Sequence, residues 1–232
     1  MLGIVIQARM GSKRLPGKIW KPIGGKLLLE YILARLEKLE SKAEIIIATS
    51  TESRDDKIEG FCSQKGIHCF RGSEWNVLER YYQCAERYGL DEIVRLTADN
   101  PFVDVEELDN LIRLFRKEHA DYAWSFDSLP CGMGAEVFTF KALEEDYREA
   151  SMPHHFEHVN EFILEHMERF RTARLDVDKE KNCPELRVTV DTWDDYEKAC
   201  YIASHGKAEY ITPLAVICLA RRYEEESSGA QI

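Results

Sequence analysis

Short apolar runs alternate with amphipathic stretches through the first half of the chain, and this rhythm restricts the fold more than any other feature. GIVIQA precedes LLLEYILARLEKL, EIIIAT precedes DDKIEGFCSQKG, IHCF precedes NVLERYYQCAERYG, and EIVRLTA precedes VEELDNLIRLFRKEH. Runs rich in Ile and Val, each followed by a segment of helical period, predict parallel strands covered on both faces by helices. The expectation is a doubly wound α/β sheet. One helix is expected over residues 55–64, and another after Gly72-Ser73 with Asn76 as its N-cap. The second half is less regular. Residues 121–126, 136–140 and 187–190 read as strands, 155–168 as one helix, and 212–225 as a closing helix followed by a frayed tail.

Open sheets of this kind bind ligands beyond the carboxyl ends of their strands. Four loops fall there: residues 9–18, 49–54, 71–77 and 97–104. The first is the most informative. It gathers Arg9, Lys13, Arg14 and Lys18 in a chain whose formal net charge is -11. Gly11 and Gly17 let backbone N–H groups approach an anion and Pro16 stiffens the loop, so amides and cations together suit a polyphosphate. A Walker A loop is rejected because Gly11 and Gly17 stand one residue too far apart and Ile19 follows Lys18. A dinucleotide fingerprint is rejected because the Gly11 to Gly17 region has no G-x-G start and the loop is too cationic for it. The plainer alternative is a solvated basic turn. Ser12 is better placed as a hydrogen-bond donor to phosphate than as a nucleophile.

Asp99 follows EIVRLTA and Asp191 follows RVTV, so both carboxylates are expected at the ligand edge. Facing a cationic loop, two such oxygen donors suit a magnesium ion that leaves coordination positions for phosphate and water. Each aspartate has an alternative use as the N-cap of the following helix. His154, His155 and His158 form no H-E-x-x-H pattern, and substrate contact or helix capping is preferred to a zinc site. Tyr81, Tyr82, Trp75 and Trp124 read as core and rim packing rather than as a stacking platform.

Composition narrows the classes. No apolar run approaches the ~18 residues of a membrane span and MLGIVIQA is no signal peptide, so a cytoplasmic protein with no membrane association is expected. The acidic balance argues against nucleic acid as a partner. The seven cysteines, without a C-x-x-C pair, read as reduced and mostly buried thiols. With 232 residues, one domain is the simplest organisation.

Several segments resemble a known family in order along the chain. QARMGSKRLPGK resembles the opening signature of cytidylyltransferases related to acylneuraminate cytidylyltransferase, in the subgroup of spore coat polysaccharide biosynthesis protein F. GSEWNVLERYYQCA, RLTADNPFVD, GAEVFTFKAL, FEHVNEFI and RVTVDTWDDYEKA follow as similar blocks up to about residue 198. The resemblance implies a Rossmann-like, mixed and mostly parallel sheet flanked by helices, of the nucleotide-diphospho-sugar transferase or GT-A-like kind. It implies transfer of CMP from CTP, with Mg2+, to a small polar sugar-like acceptor, with release of pyrophosphate, in surface polysaccharide or glycoconjugate synthesis. Arg9, Arg14 and Lys18 would be the catalytic cations. Gly11, Ser12, Lys13, Gly72, Ser73, Asn76, Val77 and Asp99 would hold the nucleotide. Asp99 and Asp191 would hold the metal, and Glu136, Glu157 and His158 would face the acceptor. Residues 1–120 would form the nucleotide-binding half and 121–225 the acceptor half, which also serves as a candidate homodimer surface, with 226–232 a flexible tail. Asn76 departs from the subgroup's usual Asp, and Trp193 from a common proline. The competing readings are a nucleotidyltransferase using another NTP, a glycosyltransferase, whose mid-chain Asp-x-Asp motif Asp99-Asn100-Pro101 does not supply, and a noncatalytic nucleotide-binding module.

Overall fold

A computed structural model describes residues 1–206 and 210–229. Its main sheet has seven strands in the order β5-β4-β1-β6-β8-β7-β9. The alternating first half builds one side of it: β1 (Leu2–Gln7), α1 (Leu28–Leu36), β4 (Glu44–Ser50), α2 (Asp56–Lys65), β5 (His68–Gly72), α3 (Val77–Tyr88), β6 (Glu92–Thr97) and α4 (Val105–Lys117). A small antiparallel hairpin, β2 (Pro22–Ile23) and β3 (Lys26–Leu27), precedes α1. Strands β5, β4, β1 and β6 are all parallel, with Val5 opposite Ile46 on one side and Arg95 on the other.

The sheet is mixed beyond β6. Strand β8 (Glu136–Thr139) runs antiparallel to both β6 and β7 (Tyr122–Trp124), setting Glu136 opposite Arg95. β9 (Thr172–Arg174) closes that edge parallel to β7. Alternation along the central strands sends Ile4, Ile6, Ile47, Val94 and Leu96 to one face, under α1, α2 and α4. Val5, Ile46 and Ile93 face the other way, where Leu78 and Tyr81 of α3 cover them. On this second face α5 (Phe140–Glu149) adds Ala142 and Leu143, and α7 (Glu161–Glu165) adds Phe162 and Ile163. On the first, α8 (Trp193–His205) and α9 (Pro213–Gly229) contribute Ile202, Val216 and Ile217.

Several expectations need correction. The single helix over 155–168 is two short helices, α6 (Pro153–Glu157) and α7, with a 3-10 turn at Met167–Arg169. The break falls at His158, whose backbone is extended, so the helical ladder stops there. Residues 187–190 form no sheet strand; Arg187 makes an isolated bridge to Cys131, and Val190 N–H donates to the Asp99 carbonyl at 2.8 Å. Helix α9 continues to Gly229 where a tail was expected from 226, and residues 230–232 lie outside the described residues. Only Cys62, Cys84 and Cys183 are buried, while Cys131 and Cys218 are exposed. Among the described residues no helix is long and apolar enough to cross a membrane.

Candidate nucleotide site

The site grows from the end of β1. Ala8 N–H still donates to the Ala48 carbonyl at 3.0 Å, and the chain then leaves the sheet. Three backbone tethers shape the loop: Met10 N–H to Asp55 Oδ1 at 2.7 Å, Leu15 N–H to Ser12 Oγ at 3.3 Å, and Gly17 N–H to the Met10 carbonyl at 3.3 Å. Asp55 is fully buried and its other oxygen accepts from the Ser50 hydroxyl, so a carboxylate under the loop holds it in place. Gly17, at φ 66°, adopts the left-handed turn that brings Lys18 inward.

Lys18 is the centre of the arrangement. Its ammonium donates to Asp99 Oδ2 at 2.8 Å, Asp191 Oδ1 at 3.0 Å and the Val190 carbonyl at 2.9 Å. Arg14 reaches the same Asp191 oxygen at 3.0 Å, and Arg187 donates to the other. Burial pushes the Asp191 carboxyl up, but Lys18, with Arg187 and Arg14, outweighs it and holds the group below its ordinary value. Neither aspartate caps a helix. Asp104 caps α4 by accepting from Glu107 N–H at 3.1 Å, and Thr192 caps α8 by accepting from Asp195 N–H at 3.2 Å. Both carboxylates are thereby left to face a cation. Their hard oxygen donors converge on one positive charge, a donor set that fits a divalent ion.

The partner segment is held from behind. Val188 N–H donates to the Cys131 carbonyl at 2.8 Å, and Gly132 takes φ 100° beside it. A Cβ at Gly132 would lie 2.6 Å from the Thr189 nitrogen, so only glycine lets the two backbones meet.

The cavity in front has a volume of about 470 Å³. It brings together Arg9, Ser12, Lys13, Arg14, Lys18 and Asp99 with Asp191, Val77, Glu157 and His158, all anticipated from the sequence. Gly11, Gly72, Ser73, Asn76 and Glu136 do not line it. Asn76 instead caps α3, accepting from Glu79 N–H at 2.8 Å, and Ser73 Oγ accepts from Asn76 N–H at 3.0 Å. Glu136 is buried beneath the floor, ion-paired with Arg95 and accepting from the Tyr122 hydroxyl at 2.6 Å. Burial lowers the Arg95 pKa, but Glu136 more than compensates and keeps the guanidinium charged. Sequence reasoning missed Gln7, Arg80 and Arg95 as lining residues. The signal available was Arg95 itself, a charge inside the otherwise apolar run EIVRLT.

Outside the cavity, His154 Nε2 and His155 Nε2 share Glu165 at 2.7 and 2.9 Å, and these three form a metal-like constellation. The tautomer argues against an ion. His155 Nδ1 accepts from Ser151 N–H at 3.2 Å and Met152 N–H at 3.3 Å, so Nε2 carries the proton and donates to Glu165. The capping role expected for this cluster is met at His155.

The first loop of this mostly parallel sheet delivers cations to Asp99, just past β6, and to Asp191, and comparison with known proteins gives the class as the nucleotidyltransferases. A cytidylyltransferase structure from Leptospira borgpetersenii matches with a TM-score of 0.89 at 32% identity, over 97% of this chain and 95% of that one. The fold of CMP:2-keto-3-deoxy-manno-octonic acid synthetase, solved with CTP, matches with a TM-score of 0.66 at 18% identity, over 88% of this chain and 98% of that one. The spore coat polysaccharide biosynthesis protein SpsF of Bacillus subtilis is 37% identical over 94% of this chain and 93% of its own length. The family model described as cytidylyltransferase matches residues 3–210, and the chain belongs to that family.

Proposed function

We propose that the protein transfers CMP from CTP to a small, polar, sugar-like acceptor and releases pyrophosphate. The observation that carries this reading is the Lys18 ammonium held between Asp99 and Asp191 at the end of a cationic loop. An acceptor oxygen attacks the α-phosphorus in line, its bond to phosphorus forming as the bond to the bridging oxygen of pyrophosphate breaks. The electron pair leaves with pyrophosphate, and the acceptor proton passes to solvent. Arg9, Arg14 and Lys18 position the triphosphate and stabilise the growing charge on the equatorial and leaving oxygens. Asp99 and Asp191 would hold Mg2+, which when bound neutralises phosphate charge. Glu157 and His158, which line the same cavity, are assigned to the acceptor.

We assign residues 1–120 to nucleotide binding and 121–225 to the acceptor and to a homodimer contact, within one domain. The Bacillus subtilis relative's name supports a place in surface polysaccharide or related glycoconjugate synthesis, and we assign the protein to the cytoplasm. The test is thermal stabilisation by CTP, UTP, ATP and GTP with and without Mg2+, since a ligand at about 100 times its Kd adds roughly 2.7 kcal/mol. A shift selective for CTP with Mg2+ is expected; equal shifts for all four, or none, would overturn the reading.

A further inference from the structure

We propose that Arg80 reads the nucleobase and selects cytosine over uracil. This rests on the cytidylyl-transfer reading above. Arg80 lies on the first turn of α3, is 1% exposed, and lines the cavity. Its Nη1 donates to the Ser73 carbonyl at 2.8 Å, while its buried Nε has no partner. The other sheltered cations of the cavity are matched, Lys18 by Asp99 and Asp191 and Arg95 by Glu136, while Arg9 and Lys13 are exposed. Among the described residues Arg80 has no ion pair. A buried guanidinium without a counter-charge is costly, and its free donors call for acceptors that arrive with a ligand. Burial accordingly lowers its pKa.

The position decides which part of the ligand meets it. Arg80 sits at the corner between β5 and α3, where Gly72 makes room for its stem: a Cβ there would lie 3.0 Å from Arg80 Cγ. The charges that act on it most belong to Tyr81, Arg9, Asp55 and Glu74, not to the Lys18 cluster. With the reacting phosphate beside Lys18, the base falls toward this corner. The pairing edge of cytosine offers two adjacent acceptors, O2 and N3. Uracil places an N3–H donor there, which meets a side chain that can only donate. Adenine and guanine likewise fail to present two adjacent acceptors on that edge. The arginine therefore attracts the correct base and repels its nearest competitor, a discrimination that hydrogen-bonding sites achieve and apolar ones do not.

The test is calorimetric titration of the wild type, Arg80→Met and Arg80→Lys with CTP, UTP and inorganic tripolyphosphate in the presence of Mg2+. Both variants should lose CTP affinity by about 10–100-fold, the value of a hydrogen bond to a charged donor. UTP and tripolyphosphate affinities should stay near wild type, so the base preference collapses while the phosphate site persists. Lysine keeps the charge but not the fork, and its result decides if the methionine variant fails to fold. Equal weakening of all three ligands would place Arg80 on the phosphates and overturn the inference. Retention of wild-type preference in both variants would overturn it while leaving cytidylyl transfer intact. A wild type that binds no nucleotide would remove both.

Discussion

Lys18 holds two carboxylates and a carbonyl with a single ammonium, so its loss leaves two aspartates facing each other and, on the proposed mechanism, removes a cation from the leaving group. Lys18→Ala should lower turnover by about 100–1000-fold, as for a lost oxyanion donor, measured as pyrophosphate release once an acceptor is in hand. Asp146 supplies a contrasting case. It is fully buried with neither oxygen hydrogen-bonded, and burial, reinforced by Glu136, pushes its carboxyl up to about 8. A folded value above the unfolded one means that the folded state binds the extra proton. Stability should therefore decline as pH rises from 4 toward 8. Asp146→Asn should flatten that limb and stabilise by several kcal/mol at pH 8, on the order of 4, with little effect at pH 4, in urea melts. The loop cations were legible because they stand close together in sequence. Arg80 was not, because helical period assigns it to a face that is otherwise apolar core.

At the scale of elements, the cap at Asn76 was read correctly and makes a quantitative demand. Asn76→Ala should cost about 1 kcal/mol, whereas Asn76→Asp should be close to neutral, since both side chains accept at an N-cap. This makes the family's usual aspartate and the asparagine found here equivalent for starting α3. Gly132 belongs to the same scale. Gly132→Ala would force the Thr189 backbone away and with it Asp191, at a cost of roughly 2 kcal/mol or more, with loss of the Mg2+-dependent CTP shift beyond that cost. The first four parallel strands and their helices were legible because β1, β4 and β6 are built mainly on Ile, Val and Leu and α3 and α4 have a strong helical period. The second half resisted for physical reasons. The helix expected over 155–168 has apolar residues at the right spacing, yet His158 leaves the helical backbone to reach the cavity, and no pattern of side-chain polarity records that turn. Residues 187–190 look like a strand because RVTV alternates polar residues with valine, but they pair with Cys131 and Asp99 instead of a ladder.

Considered whole, the molecule needs no ion to satisfy its acidic pair, because Lys18 already does so. Chelation by EDTA should therefore abolish turnover while leaving the melting temperature of the ligand-free protein unchanged; a fall in that temperature would mean that the carboxylates depend on a resident ion. The sheet order carries a different consequence. β1 is central, paired with β4 on one edge and β6 on the other. During synthesis this strand leaves the ribosome before both of its partners, and its second edge has none until residues 92–97 emerge. Until then an apolar ribbon with an open edge waits in the nascent chain, a state that invites chaperone capture or association with other chains. Nascent chains stalled before residue 92 should remain protease-sensitive, and protection should begin only when the fourth parallel strand has been delivered.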